Sequence, residues 1–221
     1  MSAKTHTIKA IYAGDSAFKT SSGTVKQIVE LSPTTTSFSS SANPSNFGQS
    51  VTLTAVVANS GGPTPTGTVT FKNGTATLGS ATLDSTGTAT LATTKLPLGS
   101  DSLTADYNGD SKNQKSHSSV LMQTVNQAQI TLSLASSPNP SSSGKTVKFT
   151  ATLTSNGGLP SGQPVTFSYN GTTLGTANVN AKGVATFLTT TLPHGSDVVT
   201  AAYAGTVDYS SASATVTQVV N

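Results

Sequence analysis

The sequence has 221 residues, enough for one large or two small domains, and its low mass of 22.1 kDa reflects many small side chains. Only 9% of the residues are charged, whereas 33 serines and 40 threonines supply neutral hydroxyl groups. All eleven basic residues are lysines and the net charge is only +3, which argues against nucleic-acid binding and against a polybasic membrane patch.

Residues 1–31 read as two β-strands that form a hairpin. His6 to Asp15 (HTIKAIYAGD) reappears in altered form at Asp101 to Asp110, and Val25 to Val29 (VKQIV) corresponds to Leu121 to Val125. The chain therefore opens in the middle of a repeat. A lone hairpin would leave the apolar row Ile8, Ala10, Tyr12 and Val25 uncovered, and isolated hairpins are marginally stable in water. Two explanations stay open: preceding strands of a longer protein cover it, or a neighbouring copy does.

Residues 32–126 alternate between apolar and polar side chains with a period of two, which is typical of half-buried strands. The expected inward-facing residues begin with Thr34, Thr36 and Phe38, and the turn signals include Asn73-Gly74 and the loop Leu96 to Gly99. The further inward-facing positions are Val51, Leu53, Ala55, Val57, Val69, Phe71, Leu78, Ala81, Leu83, Ala89, Leu91, Leu103, Ala105, Tyr107, Leu121 and Val125. About seven short strands in such a length predict an immunoglobulin-like β-sandwich.

Residues 127–221 repeat this pattern after a shift of 96 positions. Asn43-Pro44 falls on Asn139-Pro140, and Leu96-Pro97 falls on Leu192-Pro193. The second copy repeats the hairpin signal at Asn170-Gly171. The predicted fold is therefore all-β, with a partial-repeat hairpin at 1–31 followed by tandem Ig-like β-sandwiches at 32–126 and 127–221.

Three motifs carry a resemblance to a known family. They are a Tyr-x-Gly-Asp strand end (Tyr12 to Asp15, Tyr107 to Asp110), a Pro-x-Gly-x-Val-x-Phe segment (Pro65 to Phe71) and the Leu-Pro-x-Gly loop. The chain resembles bacterial Ig-like domain repeats of the group 3 type over essentially its whole length. This resemblance implies a stalk, spacer or adhesive segment of a large secreted or surface protein, without enzymatic activity. The last repeat has Thr206 where the others have Asp15 and Asp110, which argues against a required ligand there.

Four sets of residues could carry chemistry, and each has a simpler explanation. His194, Ser196 and Asp197 are the residue types of a hydrolytic triad, but adjacent residues of one turn cannot form one. Asp106 and Asp110 are too few for calcium, which needs six or more oxygens. Lys148 corresponds to Thr52 and is expected to face outward rather than form an isopeptide bond. The fourth set is the five tyrosines, whose rings could stack on sugars, although the sequence contains no tryptophan. Tyr12, Tyr107 and Tyr203 are expected in the cores. Tyr169 and Tyr209 each occur in one repeat only, so they do not form a shared sugar-binding surface.

We therefore expect no enzyme and no catalytic, cofactor-binding or metal-binding residues. The favoured interpretation is an extracellular or cell-surface spacer stiffened by the short linkers Glu30 to Pro33 and Asn126 to Ala128. One alternative is an extracellular filament subunit joined to its copies through strand complementation by the N-terminal hairpin. A second alternative is a protein- or glycan-binding module using the loops Asn59 to Thr66 and Ser111 to Ser119.

The sequence places few limits on the cellular compartment of the protein. The absence of cysteine excludes disulfides and thiolate metal sites and is compatible with the cytosol or with export. No apolar stretch approaches the roughly 20 residues that span a bilayer, and Met1 to Ala10 lacks the apolar core of a signal peptide. We expect no membrane insertion, and any export signal or anchor is expected outside these residues.

Overall fold

The computed structural model describes residues 3–221. All regular secondary structure in that range is β-strand. The first two strands, β1 (Lys4–Tyr12) and β2 (Ser21–Val29), form an antiparallel hairpin with Ile8 opposite Val25. Almost every side chain of this hairpin is exposed, including Ile8 at 43% and Val25 at 60%. The hairpin was predicted, and its apolar row is uncovered within the described residues.

The first complete repeat contains seven long strands and two of only two residues. Their bounds are β3 (Thr34–Ser40), β4 (Ser45–Asn46), β5 (Val51–Asn59), β6 (Thr68–Asn73), β7 (Ala76–Thr82), β8 (Thr88–Thr93), β9 (Gly99–Tyr107), β10 (Ser116–His117) and β11 (Leu121–Asn126). A sheet of three strands has the order β3-β5-β8, and a larger sheet has the order β4-β11-β9-β6-β7, with β10 paired to β9.

The last repeat contains seven strands in two sheets. Their bounds are β12 (Ile130–Ser137), β13 (Val147–Ser155), β14 (Pro164–Tyr169), β15 (Thr172–Asn178), β16 (Val184–Thr189), β17 (Gly195–Tyr203) and β18 (Ala212–Val220). The strand orders are β12-β13-β16 and β15-β14-β17-β18, so the last repeat has the topology of the first. The predicted fold class, tandem Ig-like β-sandwiches, is confirmed.

Alternation along the strands builds the cores. On β13, Val147, Phe149, Ala151 and Leu153 are buried while the residues between them are partly or fully exposed. Phe167 packs between two other rings of the last repeat, at 5.2 Å from Phe187 and 6.5 Å from Phe149 between centroids. Because each sheet has one apolar face, a sandwich without a disulfide can bury its apolar side chains between the two sheets.

One of the two predicted hairpin turns lies one residue later than expected. In the last repeat the turn residues are Asn170 and Gly171, as predicted, with φ of 48° and 76°. In the first repeat Asn73 still pairs with Ala76, so the turn residues are Gly74 and Thr75 rather than Asn73-Gly74. Gly74 has φ of 55° and aligns with Asn170. The predicted turn of the first repeat was therefore wrong by one position: Gly74 is the first turn residue rather than the second, and the first turn residue has a positive φ in both repeats.

Contacts group the chain into two compact units. The first comprises residues 1–41, 52–92 and 102–122, and the second comprises residues 42–51, 93–101 and 123–221. The boundaries at 31/32 and 126/127 remain predictions from the sequence repeats. No helix in the described range is long and apolar enough to cross a membrane.

Candidate functional site

Two of the candidate chemical groups lie on strands. Gly195 already begins β17, so the expected turn at His194 to Asp197 is shorter than predicted. Ser196 is exposed whereas Asp197 is buried, and adjacent strand residues point to opposite faces, so the fold does not bring the three side chains into a triad. Lys148 is exposed on β13, as expected for an outward-facing residue.

Asp106 and Asp110 are both held by protein groups. The Asp106 carboxylate lies 2.7 Å from Lys72 Nζ. Asp110 accepts hydrogen bonds from the N–H groups of Thr66, Lys112 and Asn113 and from the Asn113 side chain. Burial alone would raise the pKa of Asp110, but these donors hold it well below its ordinary value. Asp110 therefore holds its loop in place through these hydrogen bonds. No cluster of three metal-ligating side chains occurs in residues 3–221.

The five tyrosines occupy different environments. Tyr107 and Tyr203 are buried as expected, and the Tyr107 hydroxyl donates to the Thr66 carbonyl at 2.8 Å. Burial and the nearby Asp110 charge raise the pKa of Tyr107 to about 12. Tyr12 was expected in a core but is 45% exposed, because the hairpin has no covering sheet among the described residues; its hydroxyl donates to Asp15. Tyr169 and Tyr209 are both half-buried, so neither offers a flat exposed ring of the kind that stacks on sugars.

The linker Asn126 to Ala128 is bonded along its whole length inside the second compact unit. The Asn126 carbonyl accepts from the Phe47 N–H at 2.8 Å. Ala128 donates its N–H to the Asp208 carbonyl and accepts from the Ser210 N–H, at 2.9 and 3.0 Å. The Gln127 side chain donates to the Thr206 carbonyl at 2.9 Å. No linker residue is therefore left as a free hinge.

A glycine pair next to this linker fits around the loop that carries Phe47. The Phe47 carbonyl accepts from the Gly158 N–H at 2.8 Å, and the Phe47 ring meets Tyr209 edge-on with centroids 5.5 Å apart. A Cβ on Gly157 would overlap the Phe47 carbonyl oxygen, and a Cβ on Gly48 would lie 2.7 Å from Gly158 Cα. Only glycines permit this close backbone approach. We call Gly157-Gly158 the occupied glycine socket.

The first compact unit contains the corresponding linker and glycine pair. Ser32, the counterpart of Ala128, donates its N–H to the Lys112 carbonyl and accepts from the Gln114 N–H, at 2.8 and 2.9 Å. Gly61-Gly62 corresponds to Gly157-Gly158, but a Cβ on Gly61 would meet nothing within 4 Å. Gly62, in contrast, has no room for a Cβ, which would overlap Ser32 Oγ, and its N–H donates to Asn59 Oδ1 at 3.4 Å. Both glycines border a cleft of about 350 Å³.

A buried glutamine joins the opening segment of each complete repeat to its final strand. Gln218 Nε2 donates to the Pro138 carbonyl at 3.0 Å, to Ser141 Oγ at 3.3 Å and to the Val219 carbonyl at 2.9 Å. The corresponding acceptors of Gln123 are the Ala42 carbonyl, Ser45 Oγ and the Thr124 carbonyl. We call this arrangement the glutamine clamp. Sequence reasoning missed it, although the recurrence of glutamine at one position of each repeat was a usable signal.

An asparagine completes the clamp in each repeat. Asn43 Oδ1 accepts from the Thr124 N–H at 2.9 Å, and Asn139 Oδ1 accepts from the Val219 N–H at 3.0 Å. The motif Asn-Pro-Ser-x-x-Gly, present at Asn43 to Gly48 and at Asn139 to Gly144, therefore supplies acceptors to the clamp through its asparagine and serine. In the first copy, the last residues of the motif, Phe47 and Gly48, form the loop that packs against Gly157-Gly158.

The two candidate binding loops of the first repeat are tied to each other. Asn59 Nδ2 donates to Asn113 Oδ1 and to the Pro63 carbonyl, both at 2.7 Å. Asn113 is buried and also bonded to Asp110. The loops are thus held in place by their own contacts, and a cleft of about 670 Å³ lined by Leu31, Asp110 and Gln114 lies beside them.

These features define a tandem immunoglobulin-like β-sandwich protein whose linker residues Asn126 to Ala128 are hydrogen-bonded to neighbouring segments. The model of the bacterial Ig-like domain (group 3) family matches residues 38–126 and 134–221. The chain belongs to this family. No curated protein matches it.

Three similar solved structures are distant from this chain in sequence. The fibronectin(III)-like modules of Clostridium thermocellum CbhA are 20% identical, with 84% of this chain and 94% of that chain covered and a TM-score of 0.36. Three N-terminal domains of the bacteriophage RB49 Hoc protein are 18% identical, with 85% and 59% covered and a TM-score of 0.38. The D0-D1 domain of intimin is 18% identical, with 83% and 97% covered and a TM-score of 0.32.

Proposed function

We propose that the chain is a spacer segment of an extracellular or cell-surface bacterial protein, without enzymatic activity. The observation that carries the proposal is the linker Asn126 to Ala128, in which every residue is hydrogen-bonded to a neighbouring segment. A linker without free residues resists bending, and bending resistance is what a spacer needs. Low charge and abundant hydroxyl groups suit extended, solvent-exposed sheets.

Residual dipolar couplings test this proposal. We expect the couplings from β5 to β9 and those from β13 to β17 to fit one common alignment tensor. Gly157→Val, which fills the occupied glycine socket, is expected to give two different tensors, whereas Gly61→Val is the matched control and should not. Independent tensors in the unmodified chain would rule out a stiff spacer. Antibody binding to intact, unpermeabilised cells that produce the parent protein tests the location.

A second candidate function is assembly into a filament through the N-terminal hairpin. The observation that favours it is the run of exposed apolar side chains on the hairpin, including Ile8, Ile11, Val25 and Ile28. Light scattering at several concentrations, with electron micrographs of the same samples, is the test. Regular polymers that disappear on deletion of residues 1–31 would support the filament, and monomers at every concentration would refute it.

A third candidate function is recognition of a cell-surface protein or glycan by the loops Asn59 to Thr66 and Ser111 to Ser119. Their mutual hydrogen bonds support it, because loops that are already ordered lose little entropy on binding. A glycan array and a pull-down should retain the chain and lose it when one loop is replaced by a Gly-Ser loop of equal length. Unchanged retention after both replacements would exclude these loops.

A further inference from the structure

The opening segment of each complete repeat lies parallel to the final strand of the same repeat. This segment comprises residues 42–47 in the first repeat and 138–143 in the last. In the first repeat β4 pairs with β11 in parallel register, with Ser45 opposite Val125. In the last repeat Ser141 forms the equivalent parallel bridge with the end of β18. The other neighbour of β18, the strand β17, is antiparallel to it.

This direction decides how tension along the chain loads the contact. Tension reaches the opening segment at its N-terminal end, from β3 or β12, and leaves a repeat at the C-terminal end of β11 or β18. Because the two segments are parallel, these points lie at opposite ends of the contact, so the two pulls slide one segment along the other. All hydrogen bonds between them then share the load, whereas strands pulled apart at one end lose their bonds one after another.

Neither end of a repeat can be drawn out while this contact holds. In the last repeat β12 can separate from β13, but the chain then remains bonded to β18 through Pro138 and Ser141. From the other end, β18 cannot leave β17 without also leaving the opening segment. Extension of the repeat therefore requires that the opening segment separates from the final strand.

Backbone and side-chain hydrogen bonds reinforce each other in this contact. The Ser141 N–H donates to the Val219 carbonyl at 2.9 Å, and the Asn221 N–H donates to the Ser141 carbonyl at 2.8 Å. Gln218 adds its bonds to the Pro138 carbonyl and to Ser141 Oγ from a side chain that is fully buried. A hydrogen bond in a buried site is stronger than one in water, and water cannot replace it before the strands separate.

The first repeat has the same contact. Gln123 is also fully buried and donates to the Ala42 carbonyl and to Ser45 Oγ, and the bond from the Phe47 N–H to the Asn126 carbonyl lengthens the contact. Tension that leaves β11 passes directly into the bonded linker.

We propose that the glutamine clamp is a tension-bearing contact and that Gln123 and Gln218 set the force at which a repeat extends. This role rests on the proposed function of the chain as a spacer, and it adds that the spacer works under pulling forces. Forced unfolding is governed by the unfolding rate, which rises when a contact that breaks in the transition state is weakened. The clamp is such a contact. Core contacts away from it stay formed until later and should affect the unfolding rate little.

The test holds the full chain at constant force in magnetic tweezers, with one attachment tag at each end. Each complete repeat should give one step in extension. Gln218→Leu removes the two side-chain bonds to the opening segment, so we expect one of the two steps to become about tenfold faster or more at the same force. Gln123→Leu together with Gln218→Leu should accelerate both steps. Ser141→Ala removes one acceptor, should accelerate the step less, and replaces Gln218→Leu if that variant does not fold.

Val179→Ala is the matched control in the same repeat. Val179 is buried at 1% exposure, but it lies directly after β15, outside the contact. This variant should lower the urea midpoint, as Gln218→Leu does, yet leave the rate of the step at constant force nearly unchanged. Circular dichroism and urea denaturation verify that each variant folds.

A change in pulling direction tests the geometry itself. The sequence contains no cysteine, so Lys145→Cys provides a single attachment point just after the opening segment. Force between residue 145 and the C-terminal tag pulls β18 away at one end of the contact, so its bonds should break in turn. We expect the last repeat to extend at a lower force in this direction, with a smaller effect of Gln218→Leu.

Three results would overturn the proposal. They are equal unfolding rates of the unmodified chain and of Gln218→Leu, or of Ser141→Ala where it is used instead; equal acceleration by Val179→Ala; and equal forces in the two pulling directions. One common alignment tensor with an unaffected unfolding rate would keep the stiff spacer and refute the tension-bearing clamp. Independent tensors with a rate that depends on Gln218 would refute the stiff spacer alone, so the two ideas fail separately.

Discussion

Replacement of Gly157 by alanine tests whether the occupied glycine socket stabilises the second compact unit. The backbone of Gly157 does not have a positive φ, so the conformation itself accepts a Cβ. The difficulty is space: the new Cβ would overlap the Phe47 carbonyl oxygen and would lie 3.2 Å from both Ala128 Cβ and Asn46 Cβ. The Phe47 loop must therefore move away.

The magnitude follows from two losses. Movement of the loop breaks the bond from the Gly158 N–H to the Phe47 carbonyl, which contributes about 1 kcal/mol. Overpacking of a tight contact typically costs about 1–3 kcal/mol. We expect Gly157→Ala to lower the free energy of unfolding by about 2–4 kcal/mol. Gly61→Ala places the same methyl group in open space and should change stability by less than about 1 kcal/mol, with stabilisation expected because alanine restricts the unfolded chain.

Urea denaturation monitored by tyrosine fluorescence and circular dichroism measures both variants, and hydrogen exchange of the Gly158 amide reports on the socket itself. The expected pattern is a lower midpoint and faster exchange for Gly157→Ala, with neither change for Gly61→Ala. Equal stabilities together with unchanged protection of Gly158 would refute the reasoning, because the Phe47 loop would then contribute nothing to the junction.

Three further predictions concern the core, the loop lock and the clamp. Phe167→Ala should lower the free energy of unfolding by about 3–5 kcal/mol, because the ring is fully buried between Phe149 and Phe187. Phe18→Ala, at an exposed site, should lower it by less than about 0.5 kcal/mol. Calorimetry of thermal unfolding compares the two variants. The pKa of Asp110 is lowered in the folded state, so the stabilisation by its carboxylate is present above about pH 4 and is lost as the pH falls through the lowered pKa. Asp110→Asn should flatten this part of the curve of unfolding free energy against pH. An unchanged curve would contradict the conclusion that Asp110 holds its loop in place. Gln218→Leu should cost about 1–3 kcal/mol because the Pro138 carbonyl and Ser141 lose their donor, whereas Gln27→Leu on the exposed hairpin should leave the urea midpoint unchanged; equal effects would show that the clamp is not a stabilising contact.

Strand positions could be predicted from the sequence because one physical rule places them. Side chains alternate across a strand, so Val51, Leu53, Ala55 and Val57 had to share a face, and all four are buried. The same rule placed Ile8, Ala10 and Tyr12 on one face of β1, but burial needs a second sheet. The alternation is therefore sufficient to assign a strand and a face, and it does not establish that anything covers that face.

The junction contacts could not be predicted in the same way. The need for glycine at Gly157 comes from the Phe47 carbonyl, which lies 110 positions away in the sequence. No local pattern shows such an approach, and Gly61-Gly62 reads as an ordinary loop in the sequence. Periodicity describes each strand against its own neighbours, whereas the socket depends on where a distant backbone passes.

Three equivalent glutamines show what the context adds to a repeated residue. Gln123 and Gln218 are buried polar side chains, and the opening segment of each repeat supplies acceptors to their Nε2 donors, as a buried donor requires. Gln27 keeps the residue type and the bond to the next carbonyl but lies in solvent, where a glutamine has no need of partners. The opening segment of the repeat, rather than the residue type alone, therefore decides whether this glutamine forms a clamp.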